Sequence, residues 1–478
     1  MEISKITSVF PEKRNILKTI KDSILAEDNG KEEFFRFEFE IKQNDSLDLI
    51  SWLNAQKNDV KIYFSDRNRN EYAGIGIGDI INYKPVFQKS SEFESSKKSV
   101  LEDVFRTISE RVALSGRQLR YYGGHAFDIN DTMDSTWHGF GNILFLAPLI
   151  EITGNGNGRT LAVNFYYNPE KGISRKNIYE KIEREITNLD KTEAISNKKN
   201  FLLKSRYDIP RKEKWLRNIN NVKDTFQIEN ISKIVLARKT IFKIDNPADP
   251  LVIFDFLKKQ NIKTYDFYFQ ISSNYAFFGC SPELLFHRKK ESLTSDAIAG
   301  TVLKGKNREE EKLYADELMA SKKDSEEFRF VFNDIKKELK KICESVNVSR
   351  DKEVLALSYA QHIRSQFDCI LKDKISDYRI MKSLHPTPAV SGYPFSNIYG
   401  LIKRYENFYR GFYSGPVGWV GNDEACFAVG LRSGILDNRC LSVFAGAGIV
   451  KKSSPEMEWD EIENKVTPFL KILNKKFR

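Results

Sequence analysis

Two pairs of carboxylates offer the clearest chemistry in this chain. Asp324 and Glu327 lie three residues apart, and so do Glu458 and Glu461, with Lys465 one turn further on. A spacing of i, i+3 puts each pair on one face of a helix. Like charges held that closely repel unless a cation lies between the helices. Taken alone, either pair reads first as a solvated acidic face in a chain with 66 acidic residues. Other candidates are scattered. Lys233 opens the segment KIVLAR and reads locally as a strand-end lysine guarding a sheet edge. Glu283 stands beside Pro282 and reads locally as a surface strand carboxylate. Arg432 in VGLRS can pair bidentately with a carboxylate, and Tyr413 in RGFYSG can donate to the same group. Taken singly, these two are an ordinary salt-bridge arginine and a core tyrosine.

Composition bounds what can position such groups. A chain of 478 residues holds about three domains of ordinary size or one large α+β domain. A hydrophobic content of 41%, with 34 Phe and 20 Tyr, supplies an ample core. No segment approaches the roughly 20 consecutive apolar residues of a membrane span, and the start, MEISKITSVFPEKR, lacks an apolar signal region. The five cysteines are odd in number and show no CxxC spacing, which favours reduced thiols and a cytoplasmic location over disulfides or a zinc site. The net charge of +10 raises a non-enzymatic nucleic-acid binder as an alternative. The basic residues are spread among acids, however, with no basic arm. A Lys-rich bias, or a basic site for an anionic substrate, accounts for the charge.

The hydrophobic pattern predicts strands over most of the chain, flanked by helices. Residues 60–82 read as two strands around the polar turn Asp66–Asn70, with Gly74, Gly76 and Gly78 inside a strand. A helix is predicted over 97–114, and a strand-rich stretch over 120–167 whose GNGNG segment (154–158) forms a hairpin turn. The charged stretch Asn188–Lys204 separates an N-terminal part, 1–205, from the region 206–478. There a helix near 211–229 precedes strands at 232–244, 264–271, 275–279 and 283–288. The helix from about 324 to 343 carries Phe328, Val331, Phe332, Ile335, Leu339 and Ile342 at helical spacing, with the first acidic pair in its first turn. HPTPAVSGYP (385–394) must be an extended loop. Strands are predicted at 411–421, 425–436 and 440–445. A last helix from near Glu456 buries Trp459, Ile462, Val466 and Phe469, with Pro468 a potential kink.

In the second half, KIVLAR (233–238), FGCSPELLF (278–286), AIAGT (297–301), KDSEE (323–327), HPTPAVSGYP, RGFYSGPVGW (410–419), VGLRS (429–433) and FAGAGIV with PEMEWDEIENK (444–465) resemble the chorismate-utilising enzymes. That family includes isochorismate, anthranilate, aminodeoxychorismate and salicylate synthases. YYGGHAFD and WHGFG…FLAPLIEI in the first half are similar to menaquinone-type isochorismate synthases, with a weaker pattern. The resemblance implies a large single-domain α+β fold like anthranilate synthase component I, with antiparallel sheets, outer helices and the site between them. It also implies Mg2+, an ion that seeks hard oxygen ligands. Glu327 and Glu461 match the family's principal metal ligands, and Asp324 and Glu458 the carboxylates that complete the site.

The same resemblance assigns roles to the scattered residues. Lys233 matches the general base that activates water, which needs an amine pKa lowered by burial or the metal. The aminating branches typically carry glutamine here, so Lys233 favours water as nucleophile. Glu283 matches the general acid that protonates the departing 4-hydroxyl. Ala299 stands where aminodeoxychorismate synthases usually carry lysine, which argues against that branch. Gly300 and Thr301 are expected to line the substrate, with Arg432 and Tyr413 on its carboxylate. Lys465 matches a lysine near the substrate, and His362 a histidine near the enolpyruvyl group. Gly446 and Gly448, in AGAG, are expected to present backbone N–H groups to an anion as a nest. Ser325, Phe328 and Ser391 depart from the usual pattern and bear on fine substrate positioning rather than on reaction class.

The reaction implied is magnesium-dependent conversion of chorismate to isochorismate for menaquinone synthesis. The alternatives are a salicylate synthase, a siderophore-pathway isochorismate synthase and, less consistent with Lys233, anthranilate synthase component I. A small-molecule substrate, no nucleic acid, no membrane, no glutaminase subunit and a monomer or homodimer are expected.

Overall fold

The computed structural model describes residues 10–26, 30–41, 47–84, 99–116, 118–155, 158–195, 201–228, 230–358 and 360–473. Two sheets organise the chain, and every pairing between described strands is antiparallel. The larger has twelve strands. From one edge it runs Glu33–Ile41, Gly158–Tyr167, Ile150–Asn155, Glu71–Ile75, Lys61–Ser65, Tyr265–Ser272, Tyr275–Ser281, Ser433–Asp437, Cys440–Ile449, Lys233–Ile244 and the short Gly392–Tyr393. Leu203–Ile209 pairs with Lys233–Ile244 outside that path. The second has nine strands: Cys343–Ala356, Ala360–Leu371, Ser292–Leu303, Leu284–Lys289, Glu424–Val429, Pro416–Gly421, Arg120–His125, Ile143–Ala147 and Asp79–Tyr83. Both sheets therefore draw strands from both halves of the chain. The architecture is the α+β fold of antiparallel sheets with outer helices that the family resemblance implies.

An aromatic layer glues the sheets together. Ile62, Phe64, Phe267 and Phe277 from the larger sheet meet Tyr122, Leu144, Leu146 and Trp419 from the smaller. Trp137, fully buried, lies in the middle. It stacks near Phe412 and Phe444 (both 5.7 Å between ring centroids) and meets Phe277 edge-on at 5.1 Å. Gly411 of the RGFYSG motif faces this ring. Its φ is +58°, and a Cβ there would lie 2.1 Å from Trp137 Cε2, so both conformation and space require glycine.

Several predicted strands are broken where the chain passes from one sheet to the other. Residues 60–82 form three strands rather than two. Lys61–Ser65 and Glu71–Ile75 stay in the larger sheet, while Asp79–Tyr83 joins the smaller. Gly76 and Gly78 therefore lie in the crossing, and only Gly74 is inside a strand. The predicted strand 425–436 is two, Glu424–Val429 and Ser433–Asp437, in different sheets. Residues 411–415 are a turn, and the strand begins at Pro416. Apolar residues continue through both crossings, as an Ile-Gly repeat at 75–78 and as two largely buried strands around 429–433, and periodicity alone does not register the change of sheet. Of the charged stretch Asn188–Lys204, residues 196–200 lie outside the described residues, as do 156–157 of the predicted hairpin turn.

The acidic helices lie on different sheets. Lys322–Ile342 packs on strand Ser292–Leu303 of the smaller sheet through Phe328, Val331, Ile335 and Leu339. Ser321 caps it, accepting from the Asp324 N–H at 3.2 Å. Pro455–Leu473 packs on Cys440–Ile449 of the larger sheet through Trp459, Ile462, Val466 and Phe469 and continues through Pro468. No helix among the described residues is long and apolar enough to cross a membrane.

The aromatic layer sets a stability prediction. Trp137→Ala removes the side chain shared by four aromatic neighbours and is expected to cost about 3–5 kcal/mol. Guanidinium denaturation should show a lower midpoint with an unchanged slope.

Candidate active site

Two sheet crossings lie side by side and build one wall of a cavity of about 720 Å³. The first joins Tyr275–Ser281 to Leu284–Lys289 and carries Glu283. The second joins Glu424–Val429 to Ser433–Asp437 and carries Arg432. They are zipped by two backbone hydrogen bonds: Val429 N–H donates to the Glu283 carbonyl at 3.1 Å, and Cys280 N–H to the Arg432 carbonyl at 3.4 Å. Arg432 therefore does not lie within a strand as its motif suggests. It adopts a left-handed φ of +48° in the crossing, which turns its side chain out of the alternation of either sheet and into the cavity lining.

Glu283 is 2% exposed, which overturns its local reading as a surface carboxylate. Its side chain accepts from Thr387 Oγ1 at 3.1 Å. Burial pushes its carboxyl up to about 7, against the Thr387 hydroxyl and the charges of Lys233 and Arg67. It therefore holds a proton up to neutral pH. Thr387 comes from the HPTPAV segment, which reads in the sequence as an extended loop but is a turn here, with Val390 and Ser391 N–H groups donating to the Thr387 carbonyl at 3.1 Å.

Lys233 is fully buried rather than at a sheet edge, being covered by the Gly392–Tyr393 bridge. Its Nζ lies 2.8 Å from Glu327 Oε1. This ion pair lacks hydrogen-bond alignment, and Nζ has no hydrogen-bond partner. Lys233 stands behind Glu327, which itself lines the cavity. Gly448 makes the pair possible, since a Cβ there would come within 2.9 Å of both Glu327 Oε1 and Lys233 Cε. The AGAG segment is not a nest. Residues 445–448 are regular strand, with Gly446 opposite Ala237 and Gly448 opposite Val235. Extended strand geometry points successive N–H groups to opposite sides, so they do not converge on one anion. Its glycines contribute room: a Cβ at Gly446 would meet Tyr413 Oη at 3.0 Å.

The two acidic helices bring Asp324, Glu327, Glu458 and Glu461 to the same cavity. Each carboxylate has a partner. Glu327 faces Lys233, Glu461 accepts from Lys465 Nζ at 2.7 Å, and Glu458 pairs with Lys323 across the helices at 3.1 Å. Asp324 accepts from the Ser321 hydroxyl. Burial opposes ionisation of Glu461, yet Lys465, Lys323 and Lys233 around it hold its carboxyl below the usual range. Asp324 and Glu458 are pushed up, by burial first and then by the neighbouring Glu327 and Glu461 respectively. Among the described residues no three His, Cys, Asp or Glu side chains converge at metal-binding spacing. The donor set nevertheless suits a hard divalent cation. All four groups are carboxylates, and Glu458 Oε2 is buried with no partner. Lys323 was not singled out in the sequence. It is the first residue of KDSEE, and its cationic role depends on the other helix.

The remaining predicted residues form the far end. His362 is buried, and its Nδ1 bonds the Gly300 carbonyl at 3.0 Å and Thr301 Oγ1 at 3.1 Å. That leaves Nε2 to accept from Arg432 Nη2 at 3.0 Å. Burial and the adjacent Arg432 push the imidazole down to about 3, so it is neutral. Gly300 has φ +72°, which lets its carbonyl turn toward His362 beside Asp324. Arg432, lowered by burial to about 10, keeps its charge, and no carboxylate among the described residues pairs with it. Tyr413 stacks on Phe444 at 5.4 Å. Lys465 also donates to the Gly446 carbonyl at 2.9 Å. The cavity thus offers a guanidinium without a carboxylate partner, neutral donors and a buried acid, with a buried amine behind its wall. That set suits an anionic substrate undergoing proton transfer.

A family model described as chorismate binding enzyme matches residues 18–474. The chain is 31% identical to "Isochorismate synthase 2, chloroplastic" of Arabidopsis thaliana, over 86% of this chain and 71% of the relative. It is 28% identical to "Isochorismate synthase MenF" of Escherichia coli, over 90% and 91%. The solved structure of the menaquinone-specific isochorismate synthase MenF from Escherichia coli superposes with a TM-score of 0.81 at 25% identity, over 96% of this chain and 99% of that one. Anthranilate synthase component I from Streptococcus pneumoniae shares the fold, with a TM-score of 0.66 at 18% identity over 93% of each chain.

Gly448→Ala tests the packing of the buried pair. Its methyl group must displace Glu327 or Lys233, so turnover of the chain's substrate should fall at least about 10²-fold, as for a misplacement of the order of 1 Å. Circular dichroism and the melting temperature should stay close to those of the parent.

Proposed function

The chain belongs to the chorismate binding enzyme family, and we propose that it is an isochorismate synthase in which Lys233 and Glu283 are the base and the acid. Lys233, paired with Glu327 in the resting site, gives up its own proton first and then takes one from water as the water oxygen bonds to C2 of chorismate. Both ring double bonds shift, C1=C2 to C1=C6 and C5=C6 to C4=C5, the C4–O bond breaks, and Glu283 gives its proton to the departing hydroxyl, which leaves as water. Water is consumed and released, so the product is an isomer. The observation that carries this reading is the buried, proton-holding Glu283 beside a cavity backed by the fully buried Lys233. The unpaired Arg432 at the same cavity gives a substrate carboxylate its anchor, with Tyr413 nearby. His362 orients Arg432, and Gly300 and Thr301 fix His362. The neutral imidazole adds no second positive charge.

Glu327 and Glu461, supported by Asp324 and Glu458, would hold Mg2+. The ion would supply the counter-charge that lets a dicarboxylate approach four acidic side chains. Lys323 and Lys465 sit on the same carboxylates and balance them. Isochorismate made here would feed menaquinone synthesis in the cytoplasm. The match to a menaquinone-specific synthase over nearly the full length of both chains supports that assignment.

Incubation with chorismate and Mg2+ should yield isochorismate on chromatography, and chelation should abolish it. Its absence under those conditions would sink the reading. Release of pyruvate, followed with lactate dehydrogenase, would assign the chain instead to salicylate synthesis. Glu283→Gln should lower kcat about 10²–10⁴-fold, and Lys233→Gln should remove water addition. Since the acid must start protonated, kcat/KM should fall as pH rises through about 7. That limb should vanish in Glu283→Gln.

A further inference from the structure

Glu283 is steadied by a residue from the first half of the chain. Arg67 lies in the turn between Lys61–Ser65 and Glu71–Ile75. The turn is fixed by Asp66 Oδ1, which accepts from the N–H groups of Asn68 at 2.8 Å and Asn70 at 3.0 Å. The Arg67 guanidinium lies over the Tyr265 ring, 4.9 Å from its centroid. Nη1 donates to Asp296 Oδ2 at 2.6 Å. Nη2 donates to the carbonyl of Pro282, the peptide immediately before Glu283. Asp296 is 1% exposed in strand Ser292–Leu303, and its Oδ1 has no hydrogen-bond partner. A buried aspartate with an unpartnered oxygen is costly if its only task is to seat one arginine. Its position four residues before Gly300, on the strand that runs into the cavity, offers a reason.

We propose that Arg67 and Asp296 are a positioning pair for Glu283, with Arg67 fixing the Pro282–Glu283 peptide and the two charges setting the field in which Glu283 holds its proton. The proposal takes from the functional reading only that Glu283 is the acid. The groups acting on Glu283 come from four elements. Asp296 opposes its ionisation, as burial does, whereas the Thr387 hydroxyl, Lys233 and Arg67 favour it. The pair therefore contributes two opposed effects that single substitutions separate.

The sign follows from charge alone. Arg67→Gln removes a cation and leaves Asp296, so the Glu283 midpoint should rise. Asp296→Asn removes an anion and leaves Arg67, so the midpoint should fall. Arg67→Gln combined with Asp296→Asn removes both and should return it toward the parent value. Infrared difference spectra of the protonated carboxyl band, recorded on the free protein against pH and referenced to Glu283→Gln, read this without any substrate. Turnover should fall roughly 10–10²-fold in each single variant, mostly in kcat, because the peptide that aims the acid loosens. Shifts of the same sign, or no shift in either single variant, would overturn the proposal and leave the pair a structural clamp. If Arg67→Gln does not fold, Asp296→Asn and the double variant still decide by whether they differ in midpoint. Opposed shifts in a protein that makes no isochorismate would sink the functional reading and keep the pair.

Discussion

The Lys233–Glu327 ion pair is the constraint around which the rest of the site is arranged. Lys233 belongs to the twelve-stranded sheet, and Glu327 to a helix packed on the nine-stranded one. The contact therefore ties the two layers together at the cavity. A fully buried ammonium has no water to stabilise it, and removing one partner of such a pair leaves an uncompensated charge costing about 3–5 kcal/mol. Its neighbours follow from that. Gly448 leaves the space, Gly392–Tyr393 covers the lysine, and Lys465 and Lys323 neutralise the acids that crowd Glu327. Four carboxylates with three lysines are close to balance, and the outstanding charge suits a divalent cation together with a carboxylate of the substrate.

A second organising device is the pair of adjacent sheet crossings. A residue inside a regular strand points to one of two faces. Glu283 and Arg432 do neither, because each sits where the chain leaves one sheet for the other. The two backbone bonds between the crossings fix the acid relative to the guanidinium more tightly than two loops would. The N-terminal part of the chain is bound into the same arrangement. Its strands pair in both sheets, Trp137 fills the layer between them, and Arg67 reaches the peptide preceding Glu283. Helix Pro455–Leu473 is held likewise: its Glu463 pairs with Arg238, whose guanidinium lies 4.2 Å over its Trp459. This fixes the rotation of the helix that presents Glu458 and Glu461.

Much of this was legible in the sequence, and the exceptions share one cause. The 3.6-residue stripe of helix Lys322–Ile342 and the spacing of both acidic pairs are local properties, and they place each pair on one helical face. Lys233 and Glu283 were identifiable by motif, while their burial was not, since a strand end and a proline-flanked carboxylate look the same at an edge or in a core. The predicted strands run straight through the sheet crossings at 75–79 and 429–433, and the break near 281–284 shows without its change of sheet, because a change of partner strand leaves no periodicity of its own. The AGAG glycines suggested an anion nest, but antiparallel pairing with Lys233–Ile244 makes them gaps for Glu327, Lys233 and Tyr413. Thr387 and Lys323 lie within motifs and Arg67 within a predicted turn, but nothing local marks their partners, and Asp296 carries no local signal.

The sequence by itself determined the residue types, their motif order and the helices and strands that carry them, because those depend on neighbours a few positions away. It thereby determined the family and the chemistry available. Tertiary structure decided which charges meet. Lys233 faces Glu327, Lys323 faces Glu458 and Arg67 faces Asp296 across separations of 94, 135 and 229 residues. It also decided which groups lose their water, and so which carboxyl keeps a proton near neutral pH. Burial and long-range pairing are properties of the packed sheets, and no local pattern of residues carries them.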